Sequence, residues 1–352
     1  MTIRILCWEG YGDPQLLAPW LSAGGGDVVA ENHISDFAAA QRVPGNAGRW
    51  DLLNINSPFV RDALHPRGYI SELDPARFGA AADGPALPRA FAALRQWGFG
   101  ANGATLGVCQ RLGPFNMVVD TAAISSAAAE DQGFALALDP RHAGRYGILA
   151  YDDFNVLHIA IAAGLDPFTP LSESAFGLFA VMARRWFAGA RLVTGDHHAL
   201  NRALVSGDID FYLGGGVYTA SSVRREGHEQ VRAITPRLGP MQGRGGIAFV
   251  EVNALLTGAP AAAEAEDFLA RLLRPDMAVR AALAGGAANP VLQMTDPAVF
   301  ALFSSAQLDA MQWDTLEEEL GRCAQYRIAP DYARLHVILL AAREAAGWRD
   351  IR

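Results

Sequence analysis

The sequence predicts an α/β protein of two lobes, each built on an open and mostly parallel sheet. The chain has 352 residues, of which 51% are hydrophobic. It therefore exceeds the usual size of one domain, roughly 100 to 200 residues. Apolar runs alternate with helical patterns along residues 3–55, and the alternation starts again at residue 146. Because strands that alternate with helices form parallel sheets, these two stretches indicate two lobes.

The first stretch predicts a β-α-β-α-β unit. Residues Ile3–Cys7 form a short apolar run, and Asp13-Pro14 provides the N-cap and the first turn of the helix that follows. The next elements are a strand, a helix and a strand at residues 27–31, 34–41 and 51–55. Ligands of open parallel sheets bind beyond the carboxyl ends of the strands, where residues 8–11 and 56–57 would lie.

The second stretch begins with the strand of YGILAYDD, residues 146–153. Helices are predicted at residues 155–164, 172–188 and 198–206, and strands in ARLVTGD and GDIDFYLGGG. The strand of GRGGIAFVEVNALL, residues 243–256, then returns to the first lobe. We therefore predict that lobe 1 is residues 1–106 and 236–300, that lobe 2 is residues 107–235, and that residues 301–352 are C-terminal helices.

Charge and composition exclude several classes of function. The formal net charge is −8 and there is no basic stripe, so nucleic acid is not an expected partner. All 29 basic residues are arginine, which excludes a Schiff-base lysine and a P-loop lysine. The three cysteines have no C-x-x-C spacing, so neither a disulfide framework nor a zinc cluster is expected. We expect no metal and no cofactor.

The segment GFGANG, residues 98–103, matches the G-x-G-x-x-G pattern of dinucleotide sites. In those sites the pattern follows a strand and opens a helix. Here a helix or loop is predicted before it and a strand after it, so we interpret it as a glycine-rich connection.

The compartment is not settled by the residues alone. There is no run of about 18 apolar residues that would span a membrane. The N-terminus, MTIRILCW, enters a strand at once and lacks the basic and apolar regions of a secretory leader. The protein is therefore either cytoplasmic or exported with a leader that preceded Met1.

Trp8, Glu9 and Tyr11 stand at the predicted carboxyl end of the first strand. Aromatic faces attract organic cations by about 0.5 to 2 kcal/mol, and a carboxylate adds direct charge attraction. These residues therefore predict a cation-binding site, with core aromatics as the alternative. Asp152 and Asp153 follow a strand of the second lobe, where they are either an N-cap or acids of the same site.

A family resemblance rests on seven segments in this order: WEGYGDP, DLLNINSPFV, HPRGYISELDPARF, YGILAYDD, RALVSGDIDFYLGGG, GGIAFVEVNALLTGAP and FLARLLRPDMA. Together they resemble the periplasmic substrate-binding proteins of ABC importers in the spermidine/putrescine class, which have the type II periplasmic binding-protein fold. The resemblance extends from residue 3 to about residue 295. It implies two lobes joined by crossover strands that close over a solute in a cleft, a membrane permease as partner, and no catalysis.

The resemblance also implies which residues bind the solute. The family's site residues correspond to Trp8, Tyr11, Asn56, Ser57, Asp153, Tyr212, Phe249 and Glu251. For Phe249 the alternative is a core residue. Glu9 is a candidate by its position between the two aromatics. Arg244 stands just before the returning strand, where it either pairs with a ligand carboxylate or is an ordinary surface arginine.

Two positions depart from the pattern of polyamine binders. Val156 stands where they usually carry a second acid, and Leu213 stands where they often carry a polar residue. The leading hypothesis is a monomeric periplasmic receptor for a small, polyamine-like organic cation. The alternatives are a receptor for a zwitterionic, amino-acid-like or betaine-like solute, and an enzyme that uses Asp153 or Glu251 as a general acid or base.

Overall fold

The structure is a computed structural model that describes residues 1–78, 94 and 96–349. Its strands, in chain order, are β1 (Ile3–Cys7), β2 (Val28–Asn32), β3 (Leu52–Asn56), β4 (Val108–Asp120), β5 (Tyr146–Leu149), β6 (Leu192–Thr194), β7 (Phe211–Gly216), β8 (Val231–Ile234), β9 (Gly246–Leu255) and β10 (Cys323–Gln325).

The α-helices are Pro14–Ser22, Asp36–Arg42, Pro75–Phe78, Ser126–Gln132, Asp152–Ala162, Glu173–Ala188, His197–Val205, Val217–Arg225, Ala262–Leu272, Pro275–Leu283, Pro297–Phe300, Ser305–Ala310, Leu316–Gly321 and Tyr332–Ala345. A π-helical segment is Phe59–Leu64, and 3₁₀ turns are His65–Arg67, Gln96–Gly98, Gly133–Leu138, Pro140–His142, Ala284–Gly286 and Leu292–Thr295. Within the described residues, no helix has the length and apolarity needed to cross a bilayer.

The chain divides into two units. Unit 1 is Met1–Leu112 with Phe249–Leu308, and unit 2 is Gly113–Ala248 with Asp309–Arg352. The chain therefore changes unit inside β4, inside β9 and inside the helix Ser305–Ala310. The predicted lobes changed at residues 106 and 235, before these two strands. The last 44 residues, 309–352, group with unit 2, because the helix Tyr332–Ala345 packs on the helices Asp152–Ala162 and Glu173–Ala188.

The sheet of unit 1 has the order β2-β1-β3-β9. β1 is parallel to both β2 and β3, whereas β9 is antiparallel to β3. One face of β1 packs on residues of the helices Pro14–Ser22 and Ala262–Leu272 in a continuous apolar cluster. The carboxyl ends of β1 and β3 meet at one edge of the sheet, so the loop after Cys7 lies near Asn56.

The sheet of unit 2 has the order β4-β7-β5-β6, with β8 paired to β4. β5 is parallel to β6 and β7, and β4 is antiparallel to β7. β10 is parallel to the first three residues of β9. The helix Asp152–Ala162 begins three residues after β5 ends, which places its first turn at the carboxyl end of that strand.

The predicted α/β class with open, mostly parallel sheets is confirmed. β1 has the predicted bounds, and the Asp13 carboxylate accepts a hydrogen bond from the backbone N–H of Gln15 as the N-cap of the first helix. The GFGANG segment forms a tight turn between Phe99 and Thr105, which form an antiparallel bridge, and the Gly100 N–H donates to the Ala104 carbonyl at 2.9 Å. This geometry is that of a connection and not of a helix N-terminus.

Glu319 is a buried acid in unit 2, on the helix Leu316–Gly321. Burial raises its pKa to about 7, and the Arg322 guanidinium, 3.8 Å from the Glu319 carboxylate, opposes the shift. The folded protein therefore retains a proton that the unfolded chain has already lost between the usual carboxyl pKa and pH 7. The contribution of Glu319 to stability is consequently highest at acidic pH and decreases as the pH rises through this window.

We expect Glu319→Gln to remove this pH dependence. Between about pH 5 and pH 8, the free energy of unfolding should fall by about 3 kcal/mol more in the wild type than in the variant. Urea denaturation at several pH values measures the difference. The exposed neighbour Glu318→Gln is the control and should follow the wild-type curve. Parallel curves for the wild type and Glu319→Gln would show that Glu319 is ionised in the folded protein.

Candidate functional site

The edge of the unit 1 sheet carries polar side chains on two buried strands. Asn54 pairs with Asn253 across β3 and β9, and Asn56 pairs with Glu251. Directly opposite residues of neighbouring strands project from the same face, and so do residues two apart on one strand. The four side chains therefore share one face in strands that are otherwise apolar.

Glu251 is held by neutral donors from separate segments. The Tyr11 hydroxyl donates to Glu251 Oε2 at 3.2 Å, and Asn54 Nδ2 donates to the same oxygen at 3.3 Å. Asn253 Nδ2 in turn donates to the Tyr11 hydroxyl oxygen at 3.3 Å and to Gln110 Oε1 at 3.1 Å. Tyr11 is fully buried and Glu251 is only 7% exposed. The network fixes the carboxylate at the edge where the resemblance predicts solute binding.

Arg111, on β4, is the cation of this cluster. Its Nη1 donates to the Glu9 carbonyl at 2.7 Å, and its Nε donates to the Ala281 carbonyl at 3.1 Å. The guanidinium carbon lies 4.7 Å from the centroid of the Tyr11 ring, and the residue is only 2% exposed. Burial raises the pKa of Glu251, and the positive charge of Arg111 opposes that rise. The negative charge of Glu9 adds to the rise in the pKa of Glu251, so two acids and one arginine share this cluster.

Gly10 allows the guanidinium to approach the backbone. Its φ is +97°, a conformation that side chains with a Cβ disfavour. A Cβ at this position would lie 2.4 Å from Arg111 Nη2. Both constraints require glycine in the loop between Trp8 and Tyr11.

Trp8 and Asn56 are joined through Asp36. Trp8 Nε1 donates to Asp36 Oδ1 at 3.0 Å, and Asn56 Nδ2 donates to Asp36 Oδ2 at 2.7 Å. The Trp8 ring also lies 4.7 Å from the ring of His33, whose pKa burial lowers to about 4, so that His33 is neutral at pH 7. The structure therefore brings Trp8 and Asn56 together. Ser57, which follows Asn56 in the chain, is fully buried.

The other candidates of unit 1 lie in the same region. Glu9 is half-buried, and its backbone carbonyl holds Arg111. Phe249 lies two residues before Glu251 on β9 and is 7% exposed. Unit 1 thus contains seven of the ten predicted binding residues: Trp8, Glu9, Tyr11, Asn56, Ser57, Phe249 and Glu251.

Asp153 is the buried acid at the carboxyl end of β5 in unit 2. It lies in the first turn of the helix Asp152–Ala162, and its Oδ1 accepts a hydrogen bond from the Tyr332 hydroxyl at 2.6 Å. Asp152 next to it bonds to Arg343 Nη1 at 2.8 Å and lies 3.2 Å from His336 Nε2. The C-terminal helix Tyr332–Ala345 therefore fixes both acids.

Tyr212 and Arg244 are placed elsewhere in unit 2. Tyr212 is fully buried, and its hydroxyl donates hydrogen bonds to Asn201 and Thr219. Tyr212 is therefore a core residue of unit 2. Arg244 is exposed and lines a pocket with Asp166, which follows the C-terminal end of the helix Asp152–Ala162. That helix has 11 residues and is about 16 Å long, and Asp153 is at its other end. The structure does not bring Tyr212 or Arg244 together with Asp153.

Comparison with known proteins gives structural matches only. No protein-family model matches the chain, and no curated protein matches it in sequence. A Listeria monocytogenes protein described as a spermidine/putrescine ABC transporter matches with a TM-score of 0.76 at 12% identity, over 98% of this chain and 99% of that chain. The Tp0655 (TpPotD) lipoprotein of Treponema pallidum matches with a TM-score of 0.69 at 15% identity, over 99% of this chain and 100% of that chain.

A third match, the PBP MotA of A. tumefaciens B6 in complex with glucopine, has a TM-score of 0.62 at 14% identity and covers 98% of both chains. The chain has the type II periplasmic binding-protein fold. At these identities the likeness is one of fold, and solved structures that share it hold different molecules, among them glucopine and iron.

The sequence prediction missed Asn54, Asn253, Arg111 and Tyr332. For the two asparagines a signal existed, because polar residues at alternate positions of the apolar runs LLNIN and VEVNAL mark a polar face on a buried strand. Arg111 and Tyr332 had no local signal. They reach the site across 102 and 179 residues of chain, to Glu9 and Asp153.

We expect Gly10→Ala to lower the free energy of unfolding by about 3 kcal/mol, because it adds both backbone strain and a clash with Arg111. Gly24→Ala is the matched control. Gly24 has a φ of +84° but nothing within 4 Å of an added Cβ, so only the strain of about 1 kcal/mol applies. Urea denaturation measures both variants, and equal losses would contradict the close approach of Arg111.

Proposed function

We propose that the protein is the solute-binding component of an ABC importer and that it captures a small organic cation for a membrane permease. The observation that supports this proposal is the extent of the structural likeness. The match to the Listeria monocytogenes protein runs through both units and covers nearly all of both chains. The similarity therefore covers both units of the chain and is not limited to one α/β domain.

The chemistry of the strand ends supports a cationic solute. Glu251 lies at the strand-end edge of unit 1, and Asp153 lies at the carboxyl end of β5 in unit 2. Both are buried acids held by hydrogen bonds from tyrosine hydroxyls. A buried carboxylate attracts an organic cation more strongly than an exposed one, because the surrounding medium screens the charge less.

Two aromatic residues of the predicted set belong to unit 1. Trp8 and Phe249 belong to the same sheet edge as Glu251, and both are almost completely buried. Flat aromatic faces suit the methylene and ammonium groups of an amine. We include Trp8, Glu9, Asn56, Ser57, Phe249, Glu251 and Asp153 in the proposed binding set and leave out Tyr11, Tyr212 and Arg244. Tyr11 is fully buried, its hydroxyl bonds to Glu251, and its ring is covered by Arg111.

The proposed role is capture and delivery in the periplasm without covalent chemistry, because the structurally similar proteins are a transporter protein, a lipoprotein and a PBP. We also propose that the protein acts as a monomer. Recovery of unchanged solute after long incubation would agree with this role. Turnover of the solute would favour instead an enzyme that uses Asp153 or Glu251 as an acid or base.

We expect a panel of small amines to contain compounds that raise the Tm of the wild type, because a ligand of the folded state stabilises it. Asp153→Asn should weaken the binding of the best amine at least about tenfold, since a charge-assisted contact of about 1.5 kcal/mol or more is lost. Isothermal titration calorimetry measures the affinity. Asn retains an acceptor for the Tyr332 hydroxyl, so the fold should be preserved.

Asp166→Asn is the matched control for this experiment. Asp166 lies beyond the other end of the same helix, and its carboxylate accepts a hydrogen bond from the Phe168 N–H that an asparagine can also accept. This variant should bind as the wild type does. If no amine raises the Tm while amino acids or carboxylates do, the cationic solute is the wrong class.

A further inference from the structure

We propose that Asp36 is a positioning residue of the solute site in unit 1. It fixes the side-chain amide of Asn56 so that Oδ1 remains as an acceptor for an N–H or O–H donor of the solute. Asp36 thereby favours solutes that carry such a donor at this point over solutes that carry only methyl groups there. This inference rests on the proposed function, because it takes Asn56 as a member of the binding set.

Asp36 is a buried carboxylate that accepts hydrogen bonds from residues at the ends of β1 and β3. It begins the helix Asp36–Arg42 and is fully buried. Its Oδ1 accepts from Trp8 Nε1 at 3.0 Å and from the backbone N–H of Asn56 at 3.3 Å. Its Oδ2 accepts from Asn56 Nδ2 at 2.7 Å. These three donors are N–H groups, so the carboxylate needs no proton of its own to form the bonds.

The carboxylate determines which way the Asn56 amide faces. A side-chain amide has one donor end and one acceptor end, whereas a carboxylate without a proton only accepts. The Nδ2 end must therefore face Asp36, because a reversed amide would bring two oxygens together at the 2.7 Å that separates Nδ2 from Asp36 Oδ2. The orientation follows from the chemistry of the pair, and Oδ1 is left at the other end of the amide.

Asn56 Oδ1 is a buried acceptor that receives no hydrogen bond within the described part of the chain. The residue is only 3% exposed. The Ser57 hydroxyl, next in the chain, is also buried and has no hydrogen-bond partner among the described residues. A buried polar atom without a hydrogen bond is unfavourable, and a donor of a bound solute removes this cost. The end of β3 therefore has the properties of a binding point for a donor.

A second acceptor belongs to the same face of the sheet. Asn56 and Glu251 are directly opposite each other on β3 and β9, so their side chains project from one face as neighbours. Tyr11 and Asn54 both donate to Oε2 of Glu251. An ammonium group carries several N–H donors, so it suits neighbouring acceptors better than a group with one donor does.

The inference separates two classes of organic cation. Primary and secondary ammonium groups carry N–H donors, whereas a quaternary ammonium group carries alkyl groups in their place. Aromatic faces and carboxylates attract both classes through their charge. The acceptor at Asn56 Oδ1 favours only the first class, so the preference between the two classes measures the effect of Asp36.

The test compares linear amines of three to six carbons with their N-trimethyl counterparts, which keep the charge and have no N–H group. Isothermal titration calorimetry with the wild type should show that the tightest-binding amine is preferred over its counterpart at least about tenfold. Equal binding of the two classes overturns the inference and leaves the proposed function intact. Absence of binding by every cation of both classes overturns the proposed function itself.

Asp36→Asn tests the role of the carboxylate. The new amide can still accept from Trp8 Nε1, but it presents an NH₂ group to Asn56, whose own amide should reverse and place its donor end where Oδ1 was. The preference for the N–H amine should then fall at least about tenfold, because donor meets donor. The lost charge weakens the binding of both cations and leaves their ratio unchanged. A preference equal to that of the wild type would overturn the inference.

Asn56→Leu, alone and combined with Asp36→Asn, shows whether Asp36 acts through Asn56. Each single variant should lose the preference for the N–H amine. The double variant should lose no more of it than Asn56→Leu does, because residues that act as one unit are not additive. Additive losses would mean that Asp36 acts independently of Asn56, which would overturn the inference.

Asp51→Asn is the matched control. Asp51 is a fully buried carboxylate directly before β3, and it accepts hydrogen bonds from the Arg4 N–H at 2.8 Å and the Ala261 N–H at 2.7 Å. This variant should lower the Tm and keep the wild-type preference. If it lost the preference as Asp36→Asn does, the removal of any buried carboxylate of unit 1 would be the cause, and the role of Asp36 would be disproved.

Discussion

The buried contact between Arg111, Tyr11 and Glu251 is the constraint on which the candidate site of unit 1 depends. It joins the loop after β1 to β4 and β9, which are far apart in the sequence. Two buried charges are stable in such a place only if they compensate each other and their remaining hydrogen-bonding groups are satisfied. The Ala281 and Glu9 carbonyls accept hydrogen bonds from Arg111 Nε and Nη1, and Asn54 and Tyr11 both donate to Glu251 Oε2.

The two units solve the problem of a buried acid in different ways. In unit 1 the charge of Arg111 opposes the rise in the pKa of the acid, and the surrounding amides hold it in place. In unit 2 the Tyr332 hydroxyl donates a hydrogen bond to Asp153 at 2.6 Å. The neighbouring Asp152 forms an ion pair with Arg343. The two acids are therefore held by different donors, Glu251 by side chains of β3 and of the loop after β1, and Asp153 by a side chain of the C-terminal helix.

The sequence was sufficient for most of the fold, because its signals are local. Apolar runs and N-caps such as Asp13 and Ser172 determine where strands and helices begin, and the structure confirms these elements within a few residues. The positions of Trp8 and Asn56 at one sheet edge followed from the predicted parallel strands, whereas Glu251 was predicted only from the family resemblance. Arg111 and Tyr332 could not be predicted, since their roles arise from contacts between distant segments. The strand around Arg111 gives no periodic signal that separates it from a surface arginine.

A conserved architecture and a variable solute are compatible for a simple electrostatic reason. The strand ends that carry the proposed binding residues are determined by sheet topology, which the 12% identical Listeria monocytogenes protein shares. One internal arginine changes the net charge of the unit 1 cluster by one without altering any strand. A likeness in fold therefore does not determine the solute, which depends on the charges and hydrogen-bonding groups around each buried acid.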